Sequence, residues 1–206
     1  MPILFLPLKL FQMKHRPKFD YNAPFCLSFA LLSMLVYVMG LLSGGWVPER
    51  FFSLPGAASL AQWTTWPRLI LHVLGHASAE HLFSNLVIFL LVGPLLEKMY
   101  GSRLLLLLSL LTAILTGLLM IVFFKGSLAG ASGIVFAFII LSSFANAKSG
   151  TVPLTFILIS VIFLGGEILR ALSGEDQTAR FAHIAGGLVG GIAGFLIARR
   201  TESAHD

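Results

Sequence analysis

Ser132 stands between glycines in the stretch Gly130-Ala131-Ser132-Gly133, and an apolar run follows it at once. A serine where a helix begins is either an N-cap or a nucleophile with an oxyanion site at hand, because the first N–H groups of a helix have no internal partner. Gly130 has access to backbone angles closed to other residues, and Gly133 lets another backbone or a substrate come near. The natural partner for Ser132 is His183, in the stretch AHIAGGLVGGIAGF. On a helix, His183 shares a face with Gly187, Gly190 and Gly194. Gly186 with Gly190, Gly187 with Gly191 and Gly190 with Gly194 also form GxxxG pairs, which let two membrane helices approach backbone to backbone. His183 is thus expected where another helix comes close, and its ring nitrogens need a partner there.

His81 and Asn85, in EHLFSN, lie four apart on one face of a helix. Polar side chains inside a span are costly and tend to mark function, yet such a pair also serves as glue between helices. His72 and His76 lie just before them. A histidine set of this kind raises a metal site, but residues 72–81 cover more than two helical turns, no carboxylate or thiol joins them within the span, and no HExxH pattern exists. We expect no metal. Glu80, Glu97 and Glu167 fall at or near the ends of apolar segments, so a Ser-His-Asp triad does not assemble. A Ser-His dyad is the form chemistry would take, with the acid's orienting role left to packing. Phe136, one helical turn after Ser132, is placed to stack on the imidazole.

The elements that must hold these residues are membrane helices. Of 206 residues, 57% are hydrophobic and 11% charged, with mean hydropathy +0.91. A soluble domain carries about a quarter charged residues, so this is a membrane protein, expected to be one domain. The lone Cys26 excludes a disulfide framework or a Cys-based zinc site, and reads as a small buried hydrophobe. The net charge of +5 is no sign of nucleic-acid binding, because the positive residues gather at the ends of apolar segments. Six runs reach the roughly 20 apolar residues a spanning helix needs: 24–43, 79–97, 103–124, 130–147, 152–171 and 181–198.

Lys9, Lys14, Arg16, Lys18, Lys98, Arg103, Lys148, Arg199 and Arg200 fall on one side of these spans, against Arg50, Arg68, Lys125, Arg170 and Arg180 on the other. This bias predicts both termini in the cytoplasm. The start, MPILFLPLKLFQMKHR, lacks a basic region before its apolar part and a small-residue cleavage site, so we expect an interfacial segment rather than a signal peptide. A long outer loop, about 44 to 70, carries Trp46, Phe51, Phe52, Trp63 and Trp66, residues suited to the headgroup layer. The expected organisation is an N-terminal cytoplasmic or interfacial segment 1–23, a membrane domain 24–198 and a cytoplasmic tail 199–206.

The stretches HVLGHASAEHLFSN (72–85), LEKMYGS (96–102), GASG (130–133) and AHIAGG (182–187) together resemble the rhomboid intramembrane serine proteases, in order and on spans two, four and six. The resemblance covers about residues 24–198. It implies an all-α bundle of six transmembrane helices with a long outer loop between the first two. It implies Ser132 as nucleophile, His183 as general base, and His81 and Asn85 with the Ser132 backbone N–H as oxyanion donors. Gly130 and Phe136 would complete the oxyanion and substrate-binding surroundings. His72 would belong to a hydrogen-bond network in the first loop, and His76 would sit nearer the mouth of the site. The substrates would be transmembrane segments of single-span proteins in the lipid bilayer, with a small residue before the cut and a helix that unwinds easily.

Two departures from the family pattern stand out. Phe136 occupies a position where many bacterial members have Tyr, and Trp66-Pro67-Arg68 replaces an adjacent Trp-Arg. With no seventh span and no sizeable cytosolic domain, the minimal six-helix form in a bacterial cytoplasmic (inner) membrane is expected, without cofactor, metal or nucleic acid. An inactive relative that binds membrane clients would typically lack the serine or the histidine; this chain keeps both. A small transporter or proton relay should show repeated halves, and no internal repeat is present.

Overall fold

The computed structural model describes residues 20–145, 151–172 and 177–202. Apolar runs broken by Pro, Ser and Gly become helices with definite ends. Helix α1 (Pro24–Leu42) opens with proline at its first position, where the missing N–H costs nothing. Helix α4 (Ala79–Tyr100) is N-capped by Ser78, whose Oγ accepts the N–H of His81 at 3.1 Å. Gly101, with φ of +80°, turns the chain from α4 into α5 (Ser102–Phe123). Helices α6 (Ser132–Ser142), α7 (Leu154–Leu172) and α8 (Gln177–Glu202) follow.

Among the described residues, α1, α4, α5 and Phe181–Ala198 of α8 are long and apolar enough to cross a membrane. The first three lie within three residues of the expected spans. Helix α6 is shorter than the expected 130–147, at 11 residues. Gly130, with φ of +135°, cannot continue a right-handed helix, and residues 143–145 form a turn. Residues 146–150, including Lys148, lie outside the described residues. So do residues 1–19 of the expected N-terminal segment, with Lys9, Lys14, Arg16 and Lys18, and residues 203–206 of the tail; residues 199–202 continue α8.

The stretch 44–70 is folded rather than open. It holds α2 (Trp46–Phe51), the short strand β1 (Leu54–Pro55) and most of α3 (Thr65–Leu71), which runs into a 3-10 turn at His72–Leu74. Trp46, Trp63 and Trp66 are exposed. Despite the interrupted Trp-Arg pair, this stretch is tied down: the Trp66 indole donates to the Leu60 carbonyl at 3.1 Å and the Arg68 guanidinium to the Arg50 carbonyl. Strand β1 pairs antiparallel with β2 (Ser127–Leu128), with Leu54 opposite Leu128.

Helix α6 is the central element. Its residues on nearly every side are buried, and it packs chiefly on α8, then on α4 and α5. A helix apolar all round belongs in a core. Phe138 of α6 stacks on Phe89 of α4, with ring centroids 5.4 Å apart, and Phe89 meets Phe29 of α1 at 4.8 Å. Cys26 is fully buried beside Gly93, as its apolar surroundings in the sequence suggest.

Glu97, near the end of α4, performs a task its sequence position conceals. Its carboxylate accepts the N–H groups of Phe25 at 2.8 Å and Cys26 at 3.0 Å, and the Ser102 hydroxyl at 2.6 Å. It thereby satisfies two of the orphan donors at the start of α1 and ties α1, α4 and α5 together at one end. Hydrogen bonds to a charged group contribute about 1.5–3 kcal/mol each. Glu97→Ala is therefore expected to lower stability by several kcal/mol, read as a drop in the thermal unfolding midpoint in detergent, with Glu97→Gln recovering part of it.

Candidate active site

The position of Ser132 relative to His183 is set by glycines. A Cβ on Gly186 would collide with the Gly133 carbonyl, and one on Gly190 with the Ala137 carbonyl. The ideal Cβ of Gly133 lies 3.1 Å from the Ala182 carbonyl oxygen. Helices α6 and α8 thus meet backbone to backbone, as the GxxxG pairs predict, and the contact places Ala182 against the residue after Ser132. His183, next along α8, comes to the same level. Of the face expected to carry His183, Gly190 and Gly194 do face α6 and the turn after it, Gly194 meeting the Phe144 ring. Gly186 takes the position nearest Gly133, while Gly187 has only Ile140 at 3.9 Å.

Ser132, His183, His81, Asn85 and Phe136 line one open cavity of about 630 Å³. Ala77 before α4, Ser84 and Ile88 of α4, Val135 and Ile139 of α6 and the strand-edge residues Ser127 to Ala129 complete it. The Phe136 ring packs on the His183 imidazole with centroids 4.3 Å apart and planes tilted by 37°. The expected ring contact is present, tilted rather than parallel. Ser132 is the first residue of α6, and no side-chain cap bond occurs at that helix start, so the N-cap alternative does not apply. Among the described residues, no group of three or more His, Cys, Asp or Glu side chains converges on a point that would hold a metal.

The segment before Ser132 is held by backbone and histidine. Gly130 donates its N–H to the His72 carbonyl at 2.9 Å, and Ala131 donates to the His76 Nε2 at 3.4 Å. Gly130 is not a lining residue of the cavity, yet it is indispensable beside it. Its φ of +135° suits glycine alone, and a Cβ there would lie 2.7 Å from Cε1 of the His81 ring. His81 is therefore pressed against the loop that delivers Ser132. Asn85 donates through Nδ2 to the His81 carbonyl at 2.8 Å, which leaves its second amide hydrogen for the cavity.

His76 lines an open space beside this cavity, yet it is 95% removed from solvent, its ring edge-on to His81 at 5.1 Å. Its Nδ1 meets the Leu74 carbonyl at 3.2 Å, so that nitrogen carries the proton and Nε2 is free to accept from Ala131. The imidazole is neutral by construction. The expected loop network around His72 takes the form of a bond from its Nε2 to the Ala113 carbonyl of α5 at 3.1 Å. Nothing in the spacing of His76 or Glu97 announces these roles, although buried histidines beside a glycine-rich loop are a signal for the first.

Burial, chiefly, pushes both His72 and His76 down to about 4, with the neighbouring His81 adding to the shift at His76. An unfolded histidine titrates near 6.5. Between those values the folded chain binds fewer protons than the unfolded one. The stabilisation is complete above about pH 6.5, is lost as pH falls toward 4, and changes no further below that. Each histidine is expected to contribute a slope of up to about 1.4 kcal/mol per pH unit in that window. Thermal unfolding midpoints measured from pH 7.5 to 4 should fall accordingly, and His76→Gln should reduce the slope.

A sequence profile described as Rhomboid domain matches residues 63–200, more than half of the chain. A protein named Rhomboid protease GlpG from Yersinia pestis (strain Pestoides F) is 25% identical over 182 residues, 86% of this chain and 64% of the relative. One of the same name from Yersinia pseudotuberculosis serotype O:3 (strain YPIII) gives the same figures. Another from Haemophilus influenzae (strain ATCC 51907 / DSM 11121 / KW20 / Rd) is 29% identical over 132 residues, 63% of this chain and 68% of the relative. The chain thus spans less than two thirds of the length of the Yersinia relatives.

Proposed function

This chain belongs to the rhomboid family and is an integral membrane protein; on that premise we propose that it is an intramembrane serine endopeptidase working through a Ser132–His183 dyad. The observation that carries the reading is the shared cavity: Ser132 of α6, His183 of α8 and the polar side chains His81, Ser84 and Asn85 of α4 face one space inside an apolar bundle. Helix α6, at 11 residues, is about 16 Å long, roughly half the hydrocarbon thickness. One of its ends must lie at membrane depth. Irregular backbone is tolerated there only where it is buried in protein or lines a wet cavity, and the Ser132 end lines one.

In the proposed reaction, His183 takes the hydroxyl proton as Ser132 Oγ attacks the substrate carbonyl carbon. The oxyanion is met by the Ser132 N–H, the spare amide hydrogen of Asn85 and the His81 ring. The C–N bond then breaks, His183 passes its proton to the leaving amine, and water releases the acyl group. Opening the substrate helix in lipid is costly, which favours segments with Gly or Pro near the cut. The substrates are single-span membrane proteins. The full architecture is six spans, α1, α4, α5, α6, α7 and α8, within a domain of 24–198, with both termini in the cytoplasm of a bacterial inner membrane.

The test is cleavage of a single-span substrate bearing a small residue near the outer end of its helix, with fragments read by mass. A parallel reaction with a fluorophosphonate, mapped by peptide mass, should label Ser132. Cleavage with label on Ser132 is the expected result. Label on another residue, or cleavage that no serine reagent blocks, would overturn the mechanism. Neither label nor cleavage would point instead to a client-binding relative.

A further inference from the structure

A second cavity adjoins the candidate site. It measures about 490 Å³ and lies between the end of α1, helix α2 and the loop that carries His76. Ala77, Ser127 and Ala129 line both cavities, so the two are neighbours across one ridge of small side chains. Low side chains on that ridge let an extended peptide cross it. Glu49, on α2, lines this second space, and its side chain folds back over Gly45. It forms no ion pair or side-chain hydrogen bond among the described residues. The imidazole that lines the same space, His76, is held neutral by its hydrogen bonds. Arg50, Arg68 and Lys125 do not line the cavity, and Arg68 is engaged with the Arg50 carbonyl. Among the described residues, Glu49 is thus the one carboxylate lining the space, and no Lys or Arg lines it. Leu41, Pro48 and Phe52 give it an apolar wall on which a long aliphatic stem can lie.

We propose that this cavity is a second substrate subsite, in which Glu49 receives a lysine or arginine side chain from the extramembrane flank of the substrate, a few residues from the scissile bond. The inference rests on the proteolytic reading of the first cavity and adds to it a charge preference set by a residue outside the dyad. A basic side chain satisfies both parts of the lining, stem on the apolar wall and cation on the carboxylate. An acidic one at the same place meets a like charge.

The test uses the full chain carrying Ser132→Ala, in detergent at low salt, with dye-labelled single-span substrates. These differ only by Lys, Gln or Glu at successive positions flanking the cut, and binding is read by anisotropy. At one or two positions the Lys substrate is expected to bind up to about five-fold more tightly than the Glu substrate, the range of an exposed ion pair. The difference should shrink at high salt. Glu49→Gln should level the series and Glu49→Lys should reverse its order. The same Lys-to-Glu ratio in the Glu49→Lys protein, or no binding of any substrate, would overturn the subsite. Cleavage of the same series by protein with Ser132 intact separates the two readings. A charge order that reverses in binding without any cutting retains the subsite and removes the protease. Cutting with an unmoved ratio does the opposite.

Discussion

Ser132→Ala and His183→Ala are each expected to lower cleavage of a single-span substrate by about 10⁴–10⁶-fold, and the double variant by little more than either alone. The serine supplies the atom that forms the covalent bond, and without the imidazole its hydroxyl proton has no acceptor. Members of such a unit fail together, so their effects do not add. Among the described residues, none of the side chains lining the cavity is a carboxylate. The Phe136 ring, with its centroid 4.3 Å from that of the imidazole, and the tight seam between α6 and α8 help to orient it. Rates measured by fragment mass for both single variants and the double variant decide this. An additive double effect, or cleavage surviving in both single variants, would sink the dyad.

Gly186→Ala is expected to be nearly as damaging, though Gly186 touches no substrate. The added methyl would occupy the place of the Gly133 carbonyl, which is backbone and has no rotamer to yield. Helix α8 must move away from α6 by an ångström or so, and His183, one turn before Gly186, moves with it. Misplacement on that scale costs about 10²-fold in rate, and forcing a methyl into a packed seam costs about 1–3 kcal/mol. Gly187→Ala is the matched control. Its new methyl meets only Ile140 at 3.9 Å, an ordinary contact, and alanine is the better helix former by about 1 kcal/mol. Cleavage rate and unfolding midpoint measured together on both variants give the comparison. Equal behaviour of the two would mean that the seam does not position His183.

That pair of glycines also marks where reading the sequence stops. Length and polarity alone give the apolar helices, because a backbone in lipid must satisfy its own hydrogen bonds and the helix does so locally. The ends of α4 and α6 are equally local: Ser78 caps its own helix, and Gly130 takes an angle no other residue accepts. The candidate residues Ser132, His183, His81, Asn85 and Phe136 stand out because polar or glycine-flanked positions are rare in such a chain. Which of them share a cavity is a fact of packing. In α8, Gly186, Gly187, Gly190, Gly191 and Gly194 offer two adjoining rows of small residues, and periodicity alone does not choose between them.

Only the approach of α6 decides that Gly186 and Gly190 meet its backbone while Gly187 meets the Ile140 side chain. Strands β1 and β2 are two residues long, too short for any alternation to announce, and they exist because two loops meet. Glu97 caps a helix that begins more than seventy residues earlier, and His76 accepts a hydrogen bond from the residue before Ser132 across 55 positions of chain. The sequence by itself determined the apolar helices, local start signals such as Ser78 and Gly130, and the residues able to do chemistry, since those depend on neighbours within a turn or two. The tertiary structure alone decided which side chains face one another, since that depends on how whole helices pack.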